Sequence, residues 1–387
     1  MAEISLKLRP MLLKSTIILV LSAATAWPQA QVLATGLQGA SKIILTPRGN
    51  FLVSETSSAL NAGRVSFVSR GGNRRSLIEG LPSGVEVTLA GGSGPSALAL
   101  NGRTLYVAMG SGDAERRGTT PGTSMHNPVG ASSAIFATIL EFRLSGDVDA
   151  LAGTFKLTPG QQTELADGAS VELDDGSGTK AQVSILARFP ISEPDRVTVY
   201  RFSNLWGMVL ADEGKALYVI DASQNSLARV DTATGRWQRI VRFAPVANPT
   251  PVGAPMVDSV PTSVRVYGEE LLVSFLTGFP FAPGNARVMA LNPKTGMTSP
   301  FINQLTSAVD VLWWTRPNGR PQFFVLEFSA NQSATPPPPG RLLRYDSPAP
   351  VVAAAGLITP VNMVLDEATQ ELFILELRGQ ILRLKLD

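Results

Sequence analysis

Apolar residues in this chain fall into short runs rather than helical stripes, and the runs return in a fixed order. A first run leads through a polar turn to a second run that ends beside an acid. A third run is then built around an arginine. The phrase reads Ile43-Ile44-Leu45, Phe51-Leu52-Val53-Ser54-Glu55 and Arg64-Val65-Ser66-Phe67-Val68. It returns as Met208-Val209-Leu210, Leu217-Tyr218-Val219-Ile220-Asp221 and Leu227-Ala228-Arg229-Val230. Near the end it is Met363-Val364-Leu365, Leu372-Phe373-Ile374-Leu375-Glu376 and Ile381-Leu382-Arg383-Leu384. A repeat of roughly 40–50 residues made only of short strands predicts a β-propeller, with one blade per repeat.

First strands are expected near Ile43, Leu98, Met208, Val264, Val311 and Met363, and second strands at Phe51, Leu105, Leu217, Leu271, Phe324 and Leu372. The turns between them carry the right chemistry, as in Pro47-Arg48-Gly49-Asn50, Asn101-Gly102 and Pro317-Asn318-Gly319. Third strands follow around Arg64, Ile139, Arg229, Arg287, Leu342 and Ile381, which makes six blades. The chain stops after a third-type strand, while Gln31-Val32-Leu33-Ala34-Thr35-Gly36-Leu37 matches the fourth-type strands that end in Gly80-Leu81 and Gly356-Leu357. The N-terminal strand is therefore expected to complete the last blade, leaving no free sheet ends. The predicted architecture is all-β: a six-bladed β-propeller over 31–387, closed by the N-terminal strand, with an insertion at about 145–194 after blade two.

Composition narrows the class. With 44% apolar and 17% charged residues, the 387-residue chain can bury a large core. The formal charge of +2 disappears once the first 26 residues are set aside, because they carry Lys7, Arg9 and Lys14 against Glu3 alone. No concentrated basic face remains, so no nucleic-acid partner is expected. Residues 1–26 themselves read as a cleavable export signal, with basic residues, the apolar core Ile17-Ile18-Leu19-Val20-Leu21 and the small-x-small pattern Ala24-Thr25-Ala26. The mature chain has no segment that reads as a membrane span and is expected to be a periplasmic or secreted monomer. The absence of cysteine excludes thiol catalysis and cysteine-ligated metals.

In a propeller the start of each first strand and the end of each second strand emerge on one face, around the mouth of the central channel. Second strands end at Glu55, Asp221, Glu327 and Glu376, but at Met109 and Phe275 in the other two blades. First strands begin near Asn204 and Trp206, Thr262, Asp310 and Asn362. Glu55, Asp221, Glu327 and Glu376 are a candidate set of oxygen ligands for calcium. The alternative for each acid is to cap the backbone N–H groups of its own turn. The motifs call for no other cofactor. His126, the one histidine, lies in the Gly/Ser/Thr/Pro-rich loop 110–133 and reads as a surface residue. Gly91-Gly92-Ser93-Gly94-Pro95 enters a strand rather than a helix, so it reads as a connector and not a phosphate cradle. The loop Thr277-Gly278-Phe279-Pro280-Phe281-Ala282-Pro283-Gly284 puts Phe279 and Phe281, held by two prolines, on the mouth face, as a ligand wall or as a plug.

Val260-Pro261-Thr262-Ser263-Val264 and the stretch Leu276 to Val288 resemble the ScyD/ScyE family of exported propellers, and the likeness extends through Ser203-Asn204-Leu205-Trp206-Gly207-Met208 and the stretch Asp221 to Asp231. Leu205-Trp206 stands here where the family more usually has Pro-Tyr, and Ser223-Gln224 where it has two glycines. The resemblance implies an exported propeller and brings no defined reaction with it. Two functions follow as expectations. One is a binding protein that takes a small molecule or protein at the channel mouth. The other is a calcium-dependent, lactonase-like hydrolase using the same ring of oxygens. A quinone-dependent sugar dehydrogenase is disfavoured by the lack of a suitable catalytic histidine.

Overall fold

The computed structural model describes residues 30–85, 92–118, 124–196, 199–316 and 318–386. The leader expected at 1–26 and Pro317 of the blade-five turn lie outside them. Six sheets each have a core of consecutive antiparallel strands. Their inner strands are Ala40–Leu45, Pro95–Asn101, Leu205–Ala211, Pro261–Tyr267, Ala308–Thr315 and Pro360–Asp366. Each inner strand neighbours the next, and the sixth neighbours the first, so the ring closes as a six-bladed β-propeller. The second strands are buried almost throughout, as in Phe51–Glu55 and Ala216–Asp221. This follows from their place in the blade: a sheet covered on both faces suits a continuous apolar run.

The ring is locked by the chain's beginning. Gln31–Ala34 pairs antiparallel with Gln380–Lys385 as the outer strand of blade six. The seam between blades six and one is packed by Phe51 against Phe373, with ring centroids 4.7 Å apart. Arg70 covers that pair, 4.6 Å from the Phe373 centroid, and bonds Asp366 at 2.8 Å and Glu371 at 2.6 Å.

The stretch expected as an insertion contains a blade strand. Lys180–Arg188 pairs with Thr138–Leu144 and is the fourth strand of blade two. Its alternating sequence, with Ala181 and Val183 buried and Lys180 and Gln182 exposed, differs from the continuous apolar runs of the inner strands. What precedes it binds blades one and two together. Phe155–Lys156 runs parallel to Arg74–Leu81 of blade one, and Val171–Asp174 extends blade two. Between them stands the helix Pro159–Ala166, capped reciprocally by Thr158 and Gln161. Asp149 accepts from Thr46 Oγ1 at 2.6 Å and from Asn50 Nδ2 at 2.8 Å in blade one's first turn.

Candidate functional site

All six inner strands start with the same irregularity. The pairing register shifts one residue after the first pair, leaving Ser41, Ser96, Trp206, Thr262, Val309 and Val361 as bulges. Where the bulged residue has a hydroxyl, it reaches the next blade. Ser41 Oγ donates to the Pro95 carbonyl at 3.1 Å, Thr262 Oγ1 to that of Ala308 at 3.2 Å, and Ser96 Oγ to that of Leu205. Thr262 is thus a blade-to-blade link.

The residues after the bulges, Lys42, Ala97, Gly207, Ser263, Asp310 and Asn362, form the next layer. Asp310 is fully buried and accepts from Arg265 Nη2 at 2.6 Å, Asn362 Nδ2 at 2.6 Å and the Met363 N–H at 2.9 Å. Asn362 Oδ1 in turn accepts from the Ile43 N–H at 3.0 Å. From the opposite side Lys42 Nζ donates to the Thr262 carbonyl at 3.3 Å. Burial pulls the Lys42 pKa down to about 8; the Asp310 charge opposes that shift and the Arg265 charge adds to it. Lys42, Gly207, Ser263, Arg265 and Asn362 line an axial cavity of about 20 Å³, which holds roughly one water. The axis is therefore filled by side chains that tie blades one, four, five and six.

The four acids that end second strands do something else. Glu55 accepts from the Gln38 N–H at 2.5 Å, Glu327 from the Thr306 N–H at 2.6 Å and Glu376 from the Ile358 N–H at 2.5 Å. Each of those amides lies two residues before the inner strand's first paired residue, Ala40, Ala308 or Pro360. Asp221, one methylene shorter, takes the Asn204 N–H at 2.9 Å, one residue before Leu205, and also the Gln224 N–H at 3.1 Å. Glu55 also accepts from Ser66 Oγ, and Glu327 from Arg341 Nε at 2.5 Å. Burial raises the pKa of Asp221 to about 6 and also raises those of Glu327 and Glu376, each opposed by its hydrogen bonds. The acids therefore latch the chain entering blades one, three, five and six. The calcium set expected from the sequence is not assembled: among the described residues no three Asp, Glu, His or Cys side chains come together to hold a metal. A calcium site takes about six to eight oxygens, and here the carboxylates serve backbone amides within their own blades.

On the mouth face, Phe279 is 63% exposed and Phe281 half-buried, their rings perpendicular and 6.2 Å apart. The loop is tied down on two sides. The Gly278 N–H meets the Asp258 carbonyl at 2.9 Å, and Ser333 Oγ meets the Pro280 carbonyl at 2.8 Å. It is a fixed prominence and does not plug the channel. Asn204 is buried at the latch of blade three, and Trp206 is half-buried at its bulge. His126 is exposed, bonded through Nε2 to Ser192 Oγ at 3.0 Å and packed edge-on against Tyr200 and Phe202 at 4.9 Å. It fastens the blade-two loop to the hairpin that leads into blade three.

A larger space than the axial cavity lies off the axis. A groove of about 590 Å³ runs between the outer strand of blade three, Trp237–Arg242, and the outer half of blade four, with Phe243, Asn285, Arg287 and Met289 in its walls. None of the residues expected at the site line it. Lys42 and Arg265, which close the axis, and Arg287, which lines the groove, were not among those candidates. Lys42 and Arg265 were visible as charges inside the apolar runs of two inner strands.

No family model matches the chain, and no curated protein matches it. Among solved structures it is similar to a gluconolactonase from Xanthomonas campestris, at 12% identity and a TM-score of 0.49 over 95% of this chain and 93% of that one. It is similar to an auxiliary nutrient binding protein from Bacteroides thetaiotaomicron, at 8% identity and a TM-score of 0.48 over 90% and 69%. It is also similar to virginiamycin B lyase from Staphylococcus aureus, at 13% identity and a TM-score of 0.43 over 93% and 99%. At these values nothing about ligand or reaction passes from those proteins to this chain.

Proposed function

We propose that this protein is an exported binding propeller, of the kind the ScyD/ScyE resemblance implies, that holds a small molecule between blades three and four. The observation that carries the reading is the contrast in space. The groove, at about 590 Å³, has the size of a small-molecule site, whereas the axial cavity of about 20 Å³ does not. Its walls mix apolar surface from Val241, Phe243 and Met289 with the side chains of Asn285 and Arg287, the usual make-up of a recognition pocket. Export rests on the leader-like residues 1–26. No helix among the described residues is long and apolar enough to cross a membrane.

Ligand-observed NMR with a fragment library tests this directly on the mature protein. Hits are expected, and Asn303→Trp, which fills the groove from an exposed lining position, should displace them. An absence of hits, or hits indifferent to Asn303→Trp, sinks the reading. The calcium-dependent hydrolase is checked in parallel by thermal unfolding across a calcium titration. A specific site would raise the midpoint with concentration, and no rise is expected because the acids are committed to backbone amides.

A further inference from the structure

Blade four departs from blades one and five at one pair of positions. In three blades the last residue of the second strand faces an arginine at the start of the third: Glu55 faces Arg64, Glu327 faces Arg341 and Phe275 faces Arg287, whereas Asp221 faces Ser226 and Glu376 faces Gln380. In blade five the two charges meet, Arg341 Nε on Glu327 at 2.5 Å. In blade four the acid has become a fully buried phenylalanine while the arginine remains. The Arg287 guanidinium lies 4.7 Å from the Phe275 ring centroid, and its hydrogen bonds are to Ser259 Oγ at 3.1 Å and Met289 Sδ at 3.4 Å. Among the described residues no carboxylate stands within ion-pair distance of it. Burial lowers its pKa with no opposing anion, yet a guanidinium keeps its proton at any physiological pH. The other arginine of the groove, Arg242, is already engaged with Glu193 at 2.6 Å and Gln224 at 2.9 Å. Arg287 is thus a half-buried cation with most of its donors unused, facing a groove walled by Phe243, Val241 and Met289.

We infer that the groove binds a small organic acid, its carboxylate on the Arg287 guanidinium and its apolar body against Phe243 and Met289. The inference rests on the reading of the groove as the binding site and adds the class of ligand. A guanidinium offers a planar fork matched to a carboxylate. The apolar walls favour an acid with a hydrocarbon or aromatic body over a bare inorganic anion. The missing glutamate of blade four is then replaced by the ligand's own carboxylate.

The test is a panel of linear and aromatic monocarboxylates, each beside its uncharged primary amide, with sulfate as the inorganic control. Binding to the mature protein is followed by saturation-transfer NMR and calorimetry. The best acids are expected to bind at least about tenfold more tightly than their amides and than sulfate, with the preference lost in Arg287→Met. Met289→Glu, which supplies an internal carboxylate beside Arg287 Nε, should abolish acid binding even if Arg287→Met fails to fold. Acid and amide binding equally at the groove overturns the anion inference and leaves the binding groove standing. Sulfate binding as tightly as the acids also overturns it. Neither acids nor amides binding overturns both readings.

Discussion

Lys42 Nζ of blade one reaches across the channel to the carbonyl of Thr262 in blade four, the blade opposite, at 3.3 Å. That bond places an ammonium where almost no water can follow, and Arg265 approaches Asp310 from the same side of the ring. Lys42 and Arg265 line a cavity of only about 20 Å³, and the Asp310 carboxylate is bonded to Arg265 beside it. The propeller's axis is a structural pin, and the groove of about 590 Å³ lies to one side of it.

The pin should show in the pH dependence of stability. Lys42 falls from an ordinary value of 10.5 to about 8 in the fold, chiefly through burial. The unfolded chain then holds more protons between those values, so stability rises as pH climbs from about 8 to 10.5. Below that window the penalty is fully present and amounts to about 3 kcal/mol. Urea unfolding from pH 7 to 10 should show Lys42→Met lacking this rise. Parallel curves for parent and variant would show that the ammonium is not desolvated.

Removing the carboxylate has the opposite character. Asp310→Asn leaves Arg265 without a counter-charge beside the Met363 carbonyl, and breaking one side of a buried pair costs about 3–5 kcal/mol. Adding Arg265→Met should recover a large part of that loss. A double-mutant cycle by chemical denaturation measures the coupling; additive effects would remove Asp310 from the centre of the network.

The blade phrase was legible because each strand has one environment. A second strand covered on both faces must be apolar, so Phe51–Glu55 and Glu371–Glu376 announce themselves in order. The closing strand Gln31–Ala34 was legible for another reason, the Gly36-Leu37 ending it shares with the fourth-type strands at Gly80-Leu81 and Gly356-Leu357. Lys180–Arg188 was not, since as an outer strand it alternates and sits inside a polar stretch. The partners of the candidate acids were not legible. Residue type and strand end placed Glu55, Asp221, Glu327 and Glu376 near one face, but the hydrogen-bond partner of each is an amide whose position depends on the bulge after it. The groove depends on how two blades splay, which no single repeat records. Arg287 could have been noticed by comparing repeats at the acid–arginine position, where Phe275 stands alone against it.

Asp221 offers a second pH signature, of the other sign. Burial raises it from 3.8 to about 6, despite the two backbone amides that favour its charged form. The native state therefore holds the extra proton between those values, and stability falls as pH rises through that window. The penalty, about 3 kcal/mol, is complete above pH 6 and absent below 3.8. Asp221→Asn keeps an Oδ1 acceptor for the Asn204 and Gln224 N–H groups while removing the charge. Its unfolding free energy at pH 7 should equal or exceed the parent's, and it should lack the decline between pH 4 and 6. A variant that retains the decline would assign it to another group.

The latch geometry predicts an inversion of the usual order of conservative change at Glu376. Its Oε1 meets the Ile358 N–H at 2.5 Å, two residues before Pro360. Blade three shows that the shorter carboxylate of Asp221 reaches only the residue adjacent to its strand's first pair, Asn204 before Leu205. In blade six the equivalent adjacent residue is Thr359, held at a φ of 51°, so the chain there is set for the longer reach. Glu376→Asp keeps the charge but leaves the Ile358 amide unpaired and a carboxylate short of its partner, at a cost of about 1.5–3 kcal/mol. Glu376→Gln keeps the length and the acceptor, and it relieves the burial that raises the Glu376 pKa. Thermal and urea unfolding should therefore rank the parent and Glu376→Gln together, with Glu376→Asp clearly below. The reverse order would show that the charge, rather than the reach, holds the entry to the last blade.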